Sequence, residues 1–174
     1  GLRFFSIVGL PDKSVEESKE RIAAAIKNSG AEPPHKQNKR VIINLAPADL
    51  RKEGSGYDLP IALSFLLSSE QIKFDPNDKI FIGELALNGE VRRVNGVLPM
   101  CLLAKERNIK NVFVPKSNSN EARLVRDINI YPVESLSELI GFLENRIEIR
   151  PLESFNEDFL EGFETAFQAT VDMA

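Results

Sequence analysis

Residues 45–63, LAPADLRKEGSGYDLPIAL, join two apolar runs through a polar loop that contains two glycines. The run at residues 40–45 is rich in β-branched residues and continuously apolar, which predicts a strand in the centre of its sheet. The run at residues 59–67 is apolar on all sides and predicts a buried helix with Asp58 as its N-cap. Loops between a strand and a helix cradle phosphates in some proteins and carry a nucleophile in others, so this segment bears on both fold and function.

The sequence on either side of this segment alternates between strand and helix patterns. Residues 3–10 predict a strand, and Ser14 with Glu17 forms a capping box that predicts a helix over residues 14–29. The dipeptide Asn88-Gly89 predicts a hairpin. Its two arms and the remaining predicted elements lie at residues 79–87, 90–94, 97–104, 111–115, 120–125, 128–131 and 135–143. This order predicts an α/β (α+β) fold, a mixed sheet packed by helices.

Composition and charge exclude several classes of protein. Hydrophobic residues make up 43% and charged residues 28% of the 174 residues, as in an ordinary soluble protein. No apolar run approaches the roughly 20 residues of a membrane span, and a single cysteine fits a reducing compartment. We therefore expect a cytoplasmic protein without a membrane partner.

The charge is distributed unevenly along the chain. Six acidic and no basic residues follow Arg150, which leaves 22 basic and 20 acidic residues before it. A nearly neutral body argues against a dedicated DNA-binding module. The segment 151–174 predicts an acidic connector helix, whose Phe159, Phe163 and Phe167 lie four residues apart and need a partner surface.

Common catalytic and metal-binding motifs are absent from the sequence. A P-loop requires a Gly-Lys pair, and the sequence contains none. His35 and Cys101 lie 66 positions apart, so they predict a solvated loop residue and a core residue rather than a metal site. We expect no metal and no cofactor in this chain.

Two strings carry a specific resemblance. GLPDKSVEESKERIAAAIKNSG at residues 9–30 and RVIINLAPADLRKEGSGYDLPIAL at residues 40–63 resemble the amino-terminal domain of Mg-chelatase-like AAA+ ATPases of the ComM/YifB family. The resemblance covers residues 5–143 and implies a ribosomal S5 domain 2-like, Lon-protease-like fold over residues 1–150. It also implies a parent with an AAA+ module that binds ATP and Mg²⁺, assembles as a hexamer, and moves branched or single-stranded DNA in natural transformation.

The resemblance to Lon proteases implies a lost catalytic dyad. Those enzymes use a serine and a lysine, and the corresponding positions here are Gly56 and Leu98. Glycine cannot attack a carbonyl and leucine cannot accept a proton, so we expect no peptidase activity. Ser55 is next to the first position, but Lys105 lies about two helical turns beyond the second.

The loop then has other candidate roles. Gly54 and Gly56 permit conformations with free amides, and Arg51 and Lys52 add positive charge, so the loop is a candidate contact for DNA or for a neighbouring subunit. Arg92 and Arg93, after the hairpin, form a second basic candidate. The alternatives are a solvated turn for the loop and a solvated strand edge for the arginines. For the whole protein, a Lon-type peptidase and a magnesium-chelatase component remain the alternative functions.

Overall fold

The computed structural model describes residues 4–155 together with Gly162, Thr165 and Ala169. The predicted connector helix, including Phe159, Phe163 and Phe167, lies outside the described residues from position 156 onwards, apart from those three. Within the described part, no helix is both long enough and apolar enough to cross a bilayer.

The first unit is a strand, a helix and a parallel strand. Strand β1 (Phe4–Val8) pairs in parallel with β2 (Arg40–Asn44), and helix α1 (Lys13–Asn28) and a 3₁₀ turn (Pro34–Lys36) connect them. The predicted capping box is wrong: α1 is capped by Asp12, because its carboxylate accepts a hydrogen bond of 2.8 Å from the amide of Val15. Among the described residues β2 pairs only with β1, so its predicted central position is also wrong.

The second unit begins with helix α2 (Asp58–Ser68) and continues into strand β3 (Lys79–Phe81). The single strand predicted over residues 79–87 is divided into β3 and β4 (Glu84–Leu85). The division occurs because Gly83 turns toward the start of α2, where its amide bonds to the carbonyl of Gly56 at 3.1 Å. Strand β4 then forms the predicted hairpin with β5 (Val91–Arg92).

The chain closes with helices that alternate with parallel strands. Helix α3 (Val97–Glu106) leads to β6 (Asn111–Pro115), and β7 (Asn129–Val133) leads to helix α5 (Leu136–Leu143). The helix predicted over residues 120–125 is instead a 3₁₀ turn followed by one short turn of helix, α4 (Ser119–Ala122). The three parallel strands lie in the order β3-β6-β7.

Two hydrophobic cores lie on opposite faces of this three-stranded sheet. Phe113 of β6 belongs to the larger core with α1, α2 and α5, whereas Val112 and Val114 belong to the smaller core with α3 and α4. Successive side chains of a strand point to opposite faces, which explains the division. Cys101 is fully buried in the smaller core, as predicted. The fold is therefore mixed α/β, with its strands in three small sheets packed by helices.

Candidate functional site

A cleft of about 630 Å³ opens between the glycine loop and the start of α3. Residues 53–57 form one wall, and Asn95, Gly96 and Met100 form the other. Phe81 and Ile82, at the end of β3, lie between the walls. The cleft therefore lies where the carboxyl end of a strand meets the amino end of a helix, a common place for binding sites in α/β folds.

Asp12 and Gly54 hold the loop in its conformation. The Gly54 amide donates a hydrogen bond of 3.2 Å to the Asp12 carboxylate, which also caps α1. The pKa of Asp12 is lowered, mainly because its carboxylate accepts the hydrogen bond from the Val15 amide. Gly54 has φ of +83°, a conformation that favours glycine. The predicted loop role of Gly54 thus has a structural basis, and the loop is joined directly to α1.

The resemblance to Lon implies Gly56 and Leu98 as the dyad positions, and neither residue has a catalytic side chain. Gly56 lines the cleft, and a Cβ added there would lie 3.4 Å from Cγ1 of Ile82, so the position has room for a small side chain. Leu98 is half-buried and packs against the smaller core. Ser55 and Tyr57, which both carry hydroxyls, line the cleft. No lysine or histidine lines it among the described residues.

The nearest lysine in sequence does not supply the absent base. Lys105 forms an ion pair of 2.9 Å with Asp127 at the other end of α3. Instead of an amine or an imidazole, the carboxylates of Asp12 and Glu53 line the cleft. The described side chains that line the cleft therefore contain no Ser-Lys or Ser-His arrangement.

Asp58 has a different role from the one predicted. It is the first residue of α2 and makes no capping bond, which corrects the N-cap assignment. Its fully buried carboxylate accepts hydrogen bonds of 2.7 and 3.0 Å from Arg21 and one of 3.0 Å from the Leu85 amide. Burial raises the pKa of Asp58, and the hydrogen bond that Arg21 donates to Asp58 raises the pKa of Arg21. The pair ties α1, α2 and the hairpin together beneath the loop.

The four basic candidates differ in their exposure. Arg51 is exposed and lies 3.5 Å from Glu53, whereas Lys52 is only 3% exposed. The Lys52 ammonium donates to the carbonyls of Gly9, at 2.8 Å, and of Pro47, so it is held inside the domain. A buried ammonium with two carbonyl partners stabilises the loop and is not presented to a phosphate.

The other two candidates lie at the hairpin. Arg92 and Arg93 are both exposed. Arg93 donates to the Ser117 carbonyl at 2.9 Å and to Glu121 at 3.3 Å, so its guanidinium is partly engaged. The predicted contact with DNA or a subunit therefore concerns Arg51, Arg92 and Arg93, and it stays a prediction.

Asp12 and Arg21 are the residues around the cleft that sequence reasoning missed. Asp12 follows the Gly-Leu-Pro turn and lies two positions before Ser14, and the residue three positions after it is Val15 and not the Glu or Gln of a capping box. Arg21 lies on a helix with many charged residues, and no local pattern distinguishes it from its exposed neighbours. Its partner Asp58 is 37 residues away in the sequence.

Comparisons with known proteins agree with this geometry. The family model of subunit ChlI of Mg-chelatase matches residues 1–118. Competence protein ComM of Haemophilus influenzae is 41% identical over 143 residues, which cover 82% of this chain and 27% of ComM. YifB of Escherichia coli, an uncharacterized protein, is 40% identical over 147 residues, 84% of this chain and 28% of YifB. The chain thus spans little more than a quarter of the length of these two relatives.

A more distant relative bears on the fold. The archaeal Lon protease of Thermococcus kodakarensis is 32% identical over 92 residues, 51% of this chain and 14% of that protein. Together with the mixed α/β architecture, this similarity supports a Lon-like domain. The chain belongs to the family of Mg-chelatase subunit ChlI, among the Mg-chelatase-like proteins related to ComM and YifB.

Proposed function

We propose that this chain is a non-catalytic assembly and regulatory domain of a Mg-chelatase-like AAA+ ATPase that moves branched DNA. The observation that carries the proposal is the cleft, where Gly56 stands at the position that the resemblance to Lon implies for the nucleophile and no lysine or histidine is among the described lining residues. The name of the Haemophilus influenzae relative, a competence protein, supports a role in DNA handling over a role in proteolysis.

The residues of this chain do not fit a nucleotide site. The sequence has no Gly-Lys pair, so it lacks a P-loop. The carboxylates of Asp12 and Glu53 line the cleft described above and would repel phosphates. ATP and Mg²⁺ therefore belong, in this proposal, to an AAA+ module outside the chain, and the full protein acts as a hexamer.

The loop region supports the assembly role. Lys52, Asp12 and the Arg21–Asp58 pair fix the loop against α1 and α2, so the exposed Arg51 projects from a rigid frame. A rigid loop that presents a charge is suited to contact a neighbouring subunit or a DNA phosphate, because little conformational entropy is lost on binding.

A peptidase assay tests the non-catalytic part of the proposal. We expect the full-length protein that carries this domain to leave unfolded casein intact with or without ATP. The matched variant is Ser55→Ala, which removes the hydroxyl nearest to the vacant nucleophile position. Hydrolysis that disappears in Ser55→Ala would overturn the proposal.

A strand-displacement assay tests the DNA part. The full-length protein should separate branched DNA in the presence of ATP, and deletion of residues 1–150 should reduce assembly or activity. Charge reversal of Arg51, Arg92 and Arg93 should weaken whichever contact the domain makes. Activity and hexamer formation that are unaffected by the deletion would show that this domain has no assembly role.

A magnesium-chelatase component is a second candidate, favoured by the description of the matching family. Metal insertion into a porphyrin by the full-length protein, with chelatase partner subunits added, would favour this candidate. Absence of insertion, combined with ATP-dependent strand separation, would favour the DNA motor.

A further inference from the structure

The exposed face of the β1–β2 sheet carries three exposed apolar side chains and no acidic residue. Parallel pairing sets Phe4 against Arg40 and Val8 against Asn44. Phe4 is 46%, Val8 44% and Ile42 48% exposed, whereas the alternate residues of both strands pack toward the larger core. We call this face, formed by the side chains that point away from the core, the outer face; its members are Phe4, Ser6, Val8, Arg40, Ile42 and Asn44.

Three cations, Lys36, Lys39 and Arg40, lie at the start of β2 or within the four residues before it. Residues 33–48 contain three basic and no acidic residues. Lys36, Lys39 and Arg40 are all exposed, and none of them forms a salt bridge with another residue of the described ranges. By contrast, Arg51 and Arg93 have carboxylate partners. Three charges without carboxylate partners produce a local positive potential, although the chain before residue 151 is nearly neutral as a whole.

The aromatic ring and one of the cations are adjacent. The Arg40 guanidinium lies 5.0 Å from the centre of the Phe4 ring. Cations beside an exposed aromatic ring are the arrangement with which proteins bind single strands, through phosphate contacts and base stacking.

We propose that the outer face, with Lys36 and Lys39, binds single-stranded DNA. A duplex is the poorer fit, because its bases are stacked inside and Phe4 and Ile42 would contact only the charged backbone. An acidic peptide would satisfy the cations, but it offers no planar groups for the Phe4 ring. The proposal rests on the proposed role of the protein in DNA handling, and it concerns a surface distinct from Arg51, Arg92 and Arg93.

Fluorescence anisotropy with the 174-residue chain and a labelled single strand of about 16 nucleotides tests the proposal, since small modules bind strands of this length. The variant Lys36→Glu/Lys39→Glu/Arg40→Glu should weaken binding by about tenfold or more at low salt. Three phosphate contacts correspond to a slope of about −2 in a plot of log affinity against log salt, and the variant should flatten that slope.

A second variant separates stacking from charge. Phe4→Ala should weaken binding by about tenfold, which lies in the range for loss of one stacked base, and it should leave the salt slope unchanged. The matched control is Lys73→Glu/Arg107→Glu/Lys110→Glu, which makes the same change in charge at exposed positions elsewhere. Circular dichroism verifies folding, and Lys36→Ala/Lys39→Ala replaces the triple variant if the latter unfolds.

The possible outcomes differ for this surface and for the proposed function. Unchanged affinity in the outer-face variants, equal weakening by the control, or equal binding of duplex and single strand would overturn the proposal. Binding that responds only to Arg51→Glu/Arg92→Glu/Arg93→Glu would overturn it too, while supporting the contacts of the proposed function. Absence of single-strand binding by the chain would also overturn the proposal for the outer face. The strand-displacement assay with the full-length protein would then test the proposed function independently.

Discussion

The ion pair beneath the cleft offers the sharpest test of the structure. The variant Arg21→Met keeps most of the aliphatic volume on α1 and removes the guanidinium. Asp58 is 0% exposed and would keep only the hydrogen bond from the Leu85 amide, at 3.0 Å. Removal of one partner from a buried pair leaves an uncompensated charge and costs about 3–5 kcal/mol in free energy of unfolding. Because the Arg21 side chain is only 20% exposed, solvent screening reduces this cost little.

Urea unfolding at neutral and acidic pH measures the effect and its sign. The guanidinium lowers the pKa of Asp58 and burial raises it, so the folded-state pKa of Asp58 should rise further above 3.8 in Arg21→Met. A group with a raised folded-state pKa opposes folding when it is ionised. The deficit of the variant relative to the native protein should therefore be largest at neutral pH and diminish as the pH falls through that pKa.

A second variant separates charge from packing. Arg21→Met/Asp58→Asn removes the buried charge and keeps an oxygen that accepts from the Leu85 amide, so it should recover much of the lost stability. The reasoning is refuted if Arg21→Met costs less than about 1 kcal/mol, the value typical of exposed pairs. It is refuted equally if the deficit grows toward acidic pH.

Three further predictions concern the frame of the domain. Gly30→Ala should lower the free energy of unfolding by about 1–2 kcal/mol, because the backbone at this position is left-handed. Gly9→Ala should lower it considerably more, since the added Cβ would lie 2.1 Å from the Leu45 carbonyl oxygen. Urea unfolding of the two variants measures the difference. Burial raises the pKa of Cys101 to about 11, so the thiol should resist an aromatic disulfide reagent at mildly alkaline pH until urea unfolds the chain, and prompt labelling of the native protein would contradict this. The pKa of Asp12 is lowered, so its contribution to stability is present above pH 3.8 and is lost as the pH falls through the folded-state pKa. Asp12→Asn should therefore flatten the dependence on acidic pH of the free energy of unfolding, measured with urea. An unchanged profile would argue against the cap.

Local patterns predicted the elements whose signals are short in range. The Asn88-Gly89 hairpin, the apolar helix that became α2 and the core position of Cys101 all appear in the structure. Each depends on backbone preference or hydrophobic period within a few residues. The identities of Gly56 and Leu98 are read directly from the sequence, and their correspondence to a Lon dyad stays a prediction.

The errors arose where contacts between distant segments override local preference. Residues 79–87 have a continuous strand pattern, but the turn at Gly83 is imposed by hydrogen bonds to the loop before α2. Asp58 has the local signature of an N-cap, yet Arg21 on another helix binds its carboxylate. Lys52 resembles an exposed loop lysine, and only the approach of Gly9 and Pro47 encloses its ammonium.

The amino-acid sequence by itself determined the fold class and the family, because these depend on residue identity and on short-range periodicity. The tertiary structure alone decided which charges are buried, which are exposed and which side chains share a surface. Burial and partnership depend on packing between segments dozens of residues apart, and no local pattern encodes that proximity.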